Sequence, residues 1–376
     1  MTRIEIPLSA PDITDFEIEA VVSVLRSPRL SLGPKLEEFE RSVAEYVGSA
    51  HAVGVSSGTA GLHLALIALG IGPGDEVIVP SFTFVAVANA VRYVGATPVF
   101  ADIDGESLNL DPAHVEAAIT PRTRALIAVH TFGRPADMAA LGAIARRHGL
   151  KVIEDACEAL GAEIDGQRVG TFGDAAVFAF YPNKQITTGE GGMVVTQDAD
   201  VSRQVRALRN QGRYGEAWLE HAELGYNYRL SEMQAALGVA QMRRVDEILA
   251  CREAVARRYC ALLAGNPAVR LPAMDVPGQR LSWFVFVVQV PERDQVAERL
   301  ASAGIATGRY FAPIHLQPAY APSSRSNTTA EKNGICKFDL PVTEAAGART
   351  LALPFFNRIT EEQMGRVAEA LRTALS

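Results

Sequence analysis

Lys184 stands between a short apolar run, Ala175 to Tyr181, and a glycine-rich turn, Thr188 to Gly192, that leads into a second apolar run, Met193 to Thr196. Upstream, a β-branched run closes on two acids, Val152-Ile153-Glu154-Asp155. A lysine at the exit of one strand and an acid at the exit of an earlier one suit a Schiff base and the partner of a protonated ring nitrogen. Pyridoxal phosphate chemistry needs that pairing. The amine condenses with the cofactor's aldehyde, gives way to a substrate amine and returns as a proton shuttle. Asp155 beside the ring nitrogen favours its charged form, so the ring can draw electrons from the reacting carbon. The alternative, a surface lysine beside a loop, leaves both the glycine-rich turn and Asp155 unexplained.

A third element could hold a phosphate. Val53 to Ser57 reads as a strand, and Gly58-Thr59-Ala60-Gly61 opens a helix. Backbone N–H groups at a helix start, with the Ser56, Ser57 and Thr59 hydroxyls close by, make an anion site. A plain N-cap would use the same residues. The turn is neither a Walker loop nor a GxGxxG fingerprint. Its weight comes from its place upstream of Asp155 and Lys184.

The elements that must position these groups alternate as in a parallel sheet. Glu76 to Pro80, Thr97 to Ala101, Ala125 to His130 and Lys151 to Asp155 read as buried strands, with a helix predicted over Met138 to His148. Phe16 to Leu25 and Lys35 to Tyr46 read as amphipathic helices, the second after Gly33-Pro34, where proline suits a first turn. Ligands of open α/β sheets sit at the carboxyl ends of strands, and Asp155 and Lys184 each follow one. The periodicity predicts one long helix over Leu230 to Arg258, bridging to strand Trp283 to Val290 and helices Gln295 to Ala303 and Glu361 to Leu375. Residues 1–244 are expected to form a large domain and 245–376 a small one.

Five strings occur in order: SSGTAGLHLAL, GPGDEVIVPSFTFVAVANAV, VIEDACEALGA, FYPNKQITTGEGGMVVT and GYNYRLSEMQAAL. Together they resemble the DegT/DnrJ/EryC1/StrS aminotransferases, which aminate keto-sugars linked to nucleotides. The likeness runs from about Ile6 to the C-terminus. It implies a fold-type-I α/β protein, with a mixed, mostly parallel sheet in the large domain and a smaller α+β C-terminal domain. It also implies a pyridoxal phosphate-dependent homodimer that takes its amino group from L-glutamate. By this resemblance Lys184 carries the Schiff base, Asp155 meets the pyridine nitrogen, and Ser57, Gly58 and Thr59 hold the phosphate. Phe84 lies where the family stacks an aromatic ring on the cofactor; a plain core residue is the other reading. Asn227 matches an asparagine that reaches the phosphate of the neighbouring subunit, so active sites would be shared. Arg229 would hold a carboxylate or phosphate, or else form a surface ion pair. His315 lies in a proline-rich segment that approaches the cleft in the family, and is a candidate for substrate contact.

Two departures bear on specificity. Glu158 stands where the family often has a glutamine that bonds the cofactor, and a carboxyl there must be protonated or repel Asp155. Ala179 stands where a phosphate-binding serine is common. Glu158 leans towards the perosamine type of 4-keto-6-deoxy sugar. A 3-keto sugar aminotransferase is the alternative, and a non-enzymatic regulatory relative is a rival from another class. The stretch Ala321 to Lys337 is polar and turn-rich, and reads as a mobile lid or an idle insertion.

Composition agrees with a cytoplasmic enzyme. The chain has 376 residues, 48% of them hydrophobic. Yet no apolar run approaches the ~18 residues that span a bilayer, and the start of the chain has no basic-then-apolar leader. Cys157, Cys251, Cys260 and Cys336 show no CxxC spacing and read as free thiols. A net charge of −7 without a basic run argues against nucleic acid, though a local basic pocket can still take an anionic nucleotide-sugar. The scattered histidines give no metal site.

Overall fold

The computed structural model describes residues 4–215, 220–321 and 339–376. Most of the Ala321 to Lys337 stretch lies outside them, as does Cys336. The strands are β1 (His51–Val55), β2 (Glu76–Pro80), β3 (Thr97–Ala101), β4 (Thr123–Val129), β5 (Lys151–Asp155), the two-residue β6 (Glu163–Ile164) and β7 (Gln167–Arg168), β8 (Ala175–Ala179), β9 (Gly192–Thr196), β10 (Gln279–Arg280), β11 (Phe286–Gln289) and β12 (Thr350–Leu353). Seven of them form one sheet in the order β1-β9-β8-β5-β4-β2-β3. Neighbours from β8 to β3 run parallel, and β9 is antiparallel to both β8 and β1. All strands but β9 therefore point one way, and their carboxyl ends share an edge.

Such a sheet must be covered on both faces. Leu62, Leu64, Val87, Val91, Val205 and Leu208 from three helices pack on one side. Leu36, Phe39, Val43, Val239 and Leu249 cover part of the other, and Leu141 and Ile144 cover the rest. A separate core gathers Tyr259, Trp283, Phe286, Leu351, Leu353, Val367 and Leu371 around the antiparallel pair β11–β12. Ile6 joins this second core from the opposite end of the chain. It bridges Ile305 in parallel, its carbonyl accepts the Ala306 N–H at 3.0 Å, and Leu8 accepts the Phe355 N–H at 2.8 Å.

Two predicted elements come out shorter. The helix expected over Leu230 to Arg258 is two helices, Glu232–Arg243 and Val245–Leu263, broken at Arg244 (φ −112°, ψ 6°). The Arg244 guanidinium is held there by Glu17 at 2.8 Å, Glu247 at 3.0 Å and Asp12 at 3.3 Å. Only Phe286–Gln289 of the strand expected over Trp283 to Val290 pairs with a neighbour. The Trp283 and Phe284 carbonyls instead accept from the buried Arg252 side chain, at 2.6 and 2.8 Å.

Candidate active site

The carboxyl ends of β1, β2, β4, β5 and β8 open on a cavity of about 440 Å³. Its phosphate-sized end is the start of the helix Gly58–Ala68. Ser57 is the N-cap, its hydroxyl accepting the Ala60 N–H at 3.1 Å. The Gly58 and Thr59 N–H groups have no acceptor among the described residues and lie where the helix dipole attracts an anion. Gly58 must be glycine because a Cβ there would stand 2.8 Å from Cys157 Sγ and 2.9 Å from Ala179 Cβ.

Asp155 closes β5 with its side chain buried, one oxygen accepting the Cys157 N–H at 3.1 Å. Lys184 sits on the turn after β8, its N–H bonded to the Tyr181 carbonyl at 2.9 Å. Its Nζ lies 3.6 Å from Glu158 Oε1 and 3.8 Å from the centre of the Phe284 ring. The other Glu158 oxygen accepts the Phe132 N–H at 2.9 Å. Burial pushes the Glu158 carboxyl above its ordinary range; Lys184 and the Phe132 N–H pull it down, and Asp155 pushes it further up. The Cys157 thiol is likewise driven up, by burial first and then by Asp155. It is a packing group rather than a nucleophile.

Of the residues singled out from sequence, Ser57, Gly58, Thr59, Phe84, Asp155, Glu158 and Lys184 line this cavity. Phe84 is 59% exposed at its mouth, which sets aside the core reading. Asn227 is exposed, bridged to Asn210, and not among the lining residues. Arg229 also lies off the cavity and donates to Asn210 Oδ1 at 3.2 Å, as Arg213 does at 2.8 Å. His315 is buried behind the wall. Its Nδ1 is 2.7 Å from Ser81 Oγ and its Nε2 3.2 Å from Glu344. Sequence reasoning missed Asn183, Phe284, Tyr310 and Phe311, which also line the cavity. Adjacency to Lys184 was a signal for Asn183; the other three come from distant segments and carried none.

An amine, a strand-end carboxyl and free N–H groups at a helix start, on one cavity, fit a flat phosphorylated aldehyde such as pyridoxal phosphate. Fold and site together define a fold-type-I aminotransferase. The DegT/DnrJ/EryC1/StrS aminotransferase family matches residues 11–372, and the chain belongs to that family. It is 43% identical over 378 residues to the GDP-perosamine synthase of Caulobacter vibrioides, covering 98% of each chain. It is 42% identical over 365 residues to the UDP-N-acetyl-3-dehydro-alpha-D-glucosamine 3-aminotransferase of Acidithiobacillus ferrooxidans, covering 96% of this chain and 95% of that one. DesV of S. venezuelae, solved in complex with a ketimine intermediate, superposes with a TM-score of 0.89 at 40% identity, over 99% of this chain and 98% of that one. No helix among the described residues is long and apolar enough to cross a membrane.

Proposed function

We propose that this enzyme uses pyridoxal phosphate to move an amino group from L-glutamate to the keto group of a nucleotide-linked sugar, a 4-keto-6-deoxy sugar of the GDP-perosamine type. The observation that carries this reading is the Lys184 amine, 3.6 Å from Glu158 on a cavity it shares with Asp155 and the Gly58–Thr59 turn. The 43% identity to a GDP-perosamine synthase supports the sugar and its 4-keto position. A 3-keto sugar is the second reading, supported by 42% identity to a 3-aminotransferase. The product would serve polysaccharide biosynthesis.

When bound, pyridoxal phosphate supplies an aldehyde that takes up amines and a ring that withdraws electrons from the reacting carbon. Gly58 and Thr59 offer their N–H groups to the phosphate, with Ser57 fixing the helix start. Asp155 holds a proton at the ring nitrogen. Lys184 Nζ takes the α-proton of glutamate and later delivers a proton to the sugar carbon. Glu158, pushed towards its neutral form by burial, steadies the amine without adding a full negative charge beside Asp155. Phe284 and Phe311 keep water from the amine.

A homodimer is part of the reading. Asn227 is exposed and off its own chain's cavity, as a residue serving a neighbour's phosphate would be. Phe16, Ile18, Leu25, Leu30 and Leu32 form an exposed apolar series on and after the first helix, which suits a contact between copies. Unpaired Cys157, Cys251 and Cys260 suit the cytoplasm.

The test is the visible spectrum of the purified protein before and after L-glutamate. A yellow band that bleaches, and that a keto-sugar nucleotide restores, is the expected result. A protein that stays colourless with added pyridoxal phosphate overturns the reading.

A further inference from the structure

Gln185, the residue after Lys184, is buried and lies off the cavity. Its side-chain amide is the centre of a knot. Nε2 donates to the Glu158 carbonyl at 2.5 Å, to the Ser282 carbonyl at 3.1 Å and to Ser282 Oγ at 2.9 Å. Ser282 Oγ in turn donates to the Leu160 carbonyl, so it meets Gln185 as an acceptor. Turning the amide over would set its oxygen against two carbonyl oxygens, so the acceptors fix its orientation. The Ser282 N–H closes the knot on the Gly133 carbonyl at 2.9 Å. Space there is tight: a Cβ on Gly133 would stand 1.5 Å from the Ser282 carbonyl oxygen and 2.9 Å from that of Glu158.

Four segments meet here, and each carries one of the groups gathered at the amine. Phe132 precedes Gly133, and its N–H bonds the Glu158 carboxyl at 2.9 Å. Glu158 Oε1 lies 3.6 Å from Lys184 Nζ. Phe284, two residues after Ser282, has its ring centre 3.8 Å from the same nitrogen. Lys184 itself adjoins Gln185. A lysine amine rides on a flexible four-carbon stem, so its resting place is set by the walls around it. We propose that Gln185 is a positioning residue for Lys184: its amide ties the amine's turn to Glu158 and to the segment bearing Phe284, and so holds the amine at the place from which it reacts. This rests on the function proposed above. An apolar side chain of the same length would fill the space but leave the Glu158 and Ser282 carbonyls without this donor, and the segments could then shift against one another.

The experiment uses the full-length protein freed of cofactor, as parent, Gln185→Met and Glu76→Ala. The last removes a carboxyl at the amino end of β2, bonded to Thr120 and Arg122 and away from the cavity. Two readouts separate the amine from the rest of the site. Pyridoxal phosphate condenses with Lys184, losing water, and the rise of the yellow band gives the rate. Pyridoxamine phosphate has no aldehyde and binds without the amine's help; calorimetry gives its Kd. Gln185→Met should slow the condensation at least about tenfold and leave the pyridoxamine phosphate Kd within about twofold, since a misplacement of about 1 Å costs a reacting group on the order of 10²-fold. Glu76→Ala should lower the urea midpoint and leave both readouts at their parent values. Condensation at the parent rate in Gln185→Met, an equal loss in both readouts, or the same slowing in Glu76→Ala overturns the inference and leaves the proposed function standing. If Gln185→Met fails to fold, Gln185→Asn, which draws the amide back by a methylene, decides by the same readouts. A parent protein that takes up no pyridoxal phosphate overturns the proposed function, and this inference with it.

Discussion

Glu154 and Glu158 lie on either side of Asp155 and are both buried, yet the chain treats them differently. Glu154 accepts backbone N–H groups from Gly170, Phe172 and Gly173 at 2.8, 2.7 and 2.8 Å. His130 adds a fourth bond at 3.0 Å. Because His130 Nδ1 accepts the Ala136 N–H, its Nε2 carries the proton and donates to Glu154. That carboxyl is saturated, and it locks the loop after β7 beneath the sheet edge. Glu158 has one backbone donor, Phe132, and faces an amine across 3.6 Å. The difference teaches how to separate a structural acid from a functional one at equal burial. Saturation by fixed donors builds the scaffold; partial satisfaction beside a mobile amine leaves a group able to change its protonation.

Removing the amine should give the largest effect. Lys184→Ala should fold normally and lose at least about 10³-fold in turnover, as the role proposed for Lys184, nucleophile and acid–base group together, implies. Normal activity in that variant would end the comparison, because Glu158 would then face nothing of consequence. Next in size, Glu154→Ala should destabilise the fold by about 3–5 kcal/mol, since it strands His130 and three N–H groups. Urea denaturation measures this; an unchanged midpoint would show that the donors find other partners. Glu158→Gln should shift stability by less than about 1 kcal/mol yet alter the pH dependence of the cofactor absorbance, so stability and spectrum separate the two acids.

The smallest effect is on stability against pH. A carboxyl whose folded value is raised holds its proton more tightly when folded. Its contribution is therefore complete at low pH and is lost as pH climbs from the ordinary glutamate range through the raised value. Parent protein should lose that increment as pH rises above the ordinary glutamate range, and Glu158→Gln should not. Parallel stability curves would show that Glu158 is not raised.

Much of the fold is legible in the sequence because the central strands are written as uninterrupted buried runs. Glu76–Pro80, Thr97–Ala101 and Lys151–Asp155 are bounded by turn residues and appear with the predicted limits. Misread boundaries trace to single arginines whose partners lie far along the chain. Arg244 breaks a helix whose periodicity continues unbroken, and Arg252 takes carbonyls that a strand would have used. The same holds at the cavity. Lys184, Asp155 and Gly58 follow strands, so their convergence can be read from the pattern of elements. Phe284 reaches the amine, and Tyr310 the neighbouring Asn183, only through packing of distant segments, which no local pattern encodes. His315 is a candidate through the family's approach of its segment to the cleft; it does not line the cavity, and its ring meets Ser81 and Glu344.

The attachment of Ile6 to the second core sets an order of events in the making of this protein. Ile6 leaves the ribosome long before Leu353 and Leu371, which share its core. At ~5–20 residues per second, roughly 20–70 s of synthesis separates them. The large sheet can close during that time, while the second core has to wait for the Glu5–Leu8 segment to meet β12 and the helix Glu361–Leu375. The segment around Glu5–Leu8 is thus a seam, and a bulky tag fused just before it should slow maturation more than the same tag after the terminal helix.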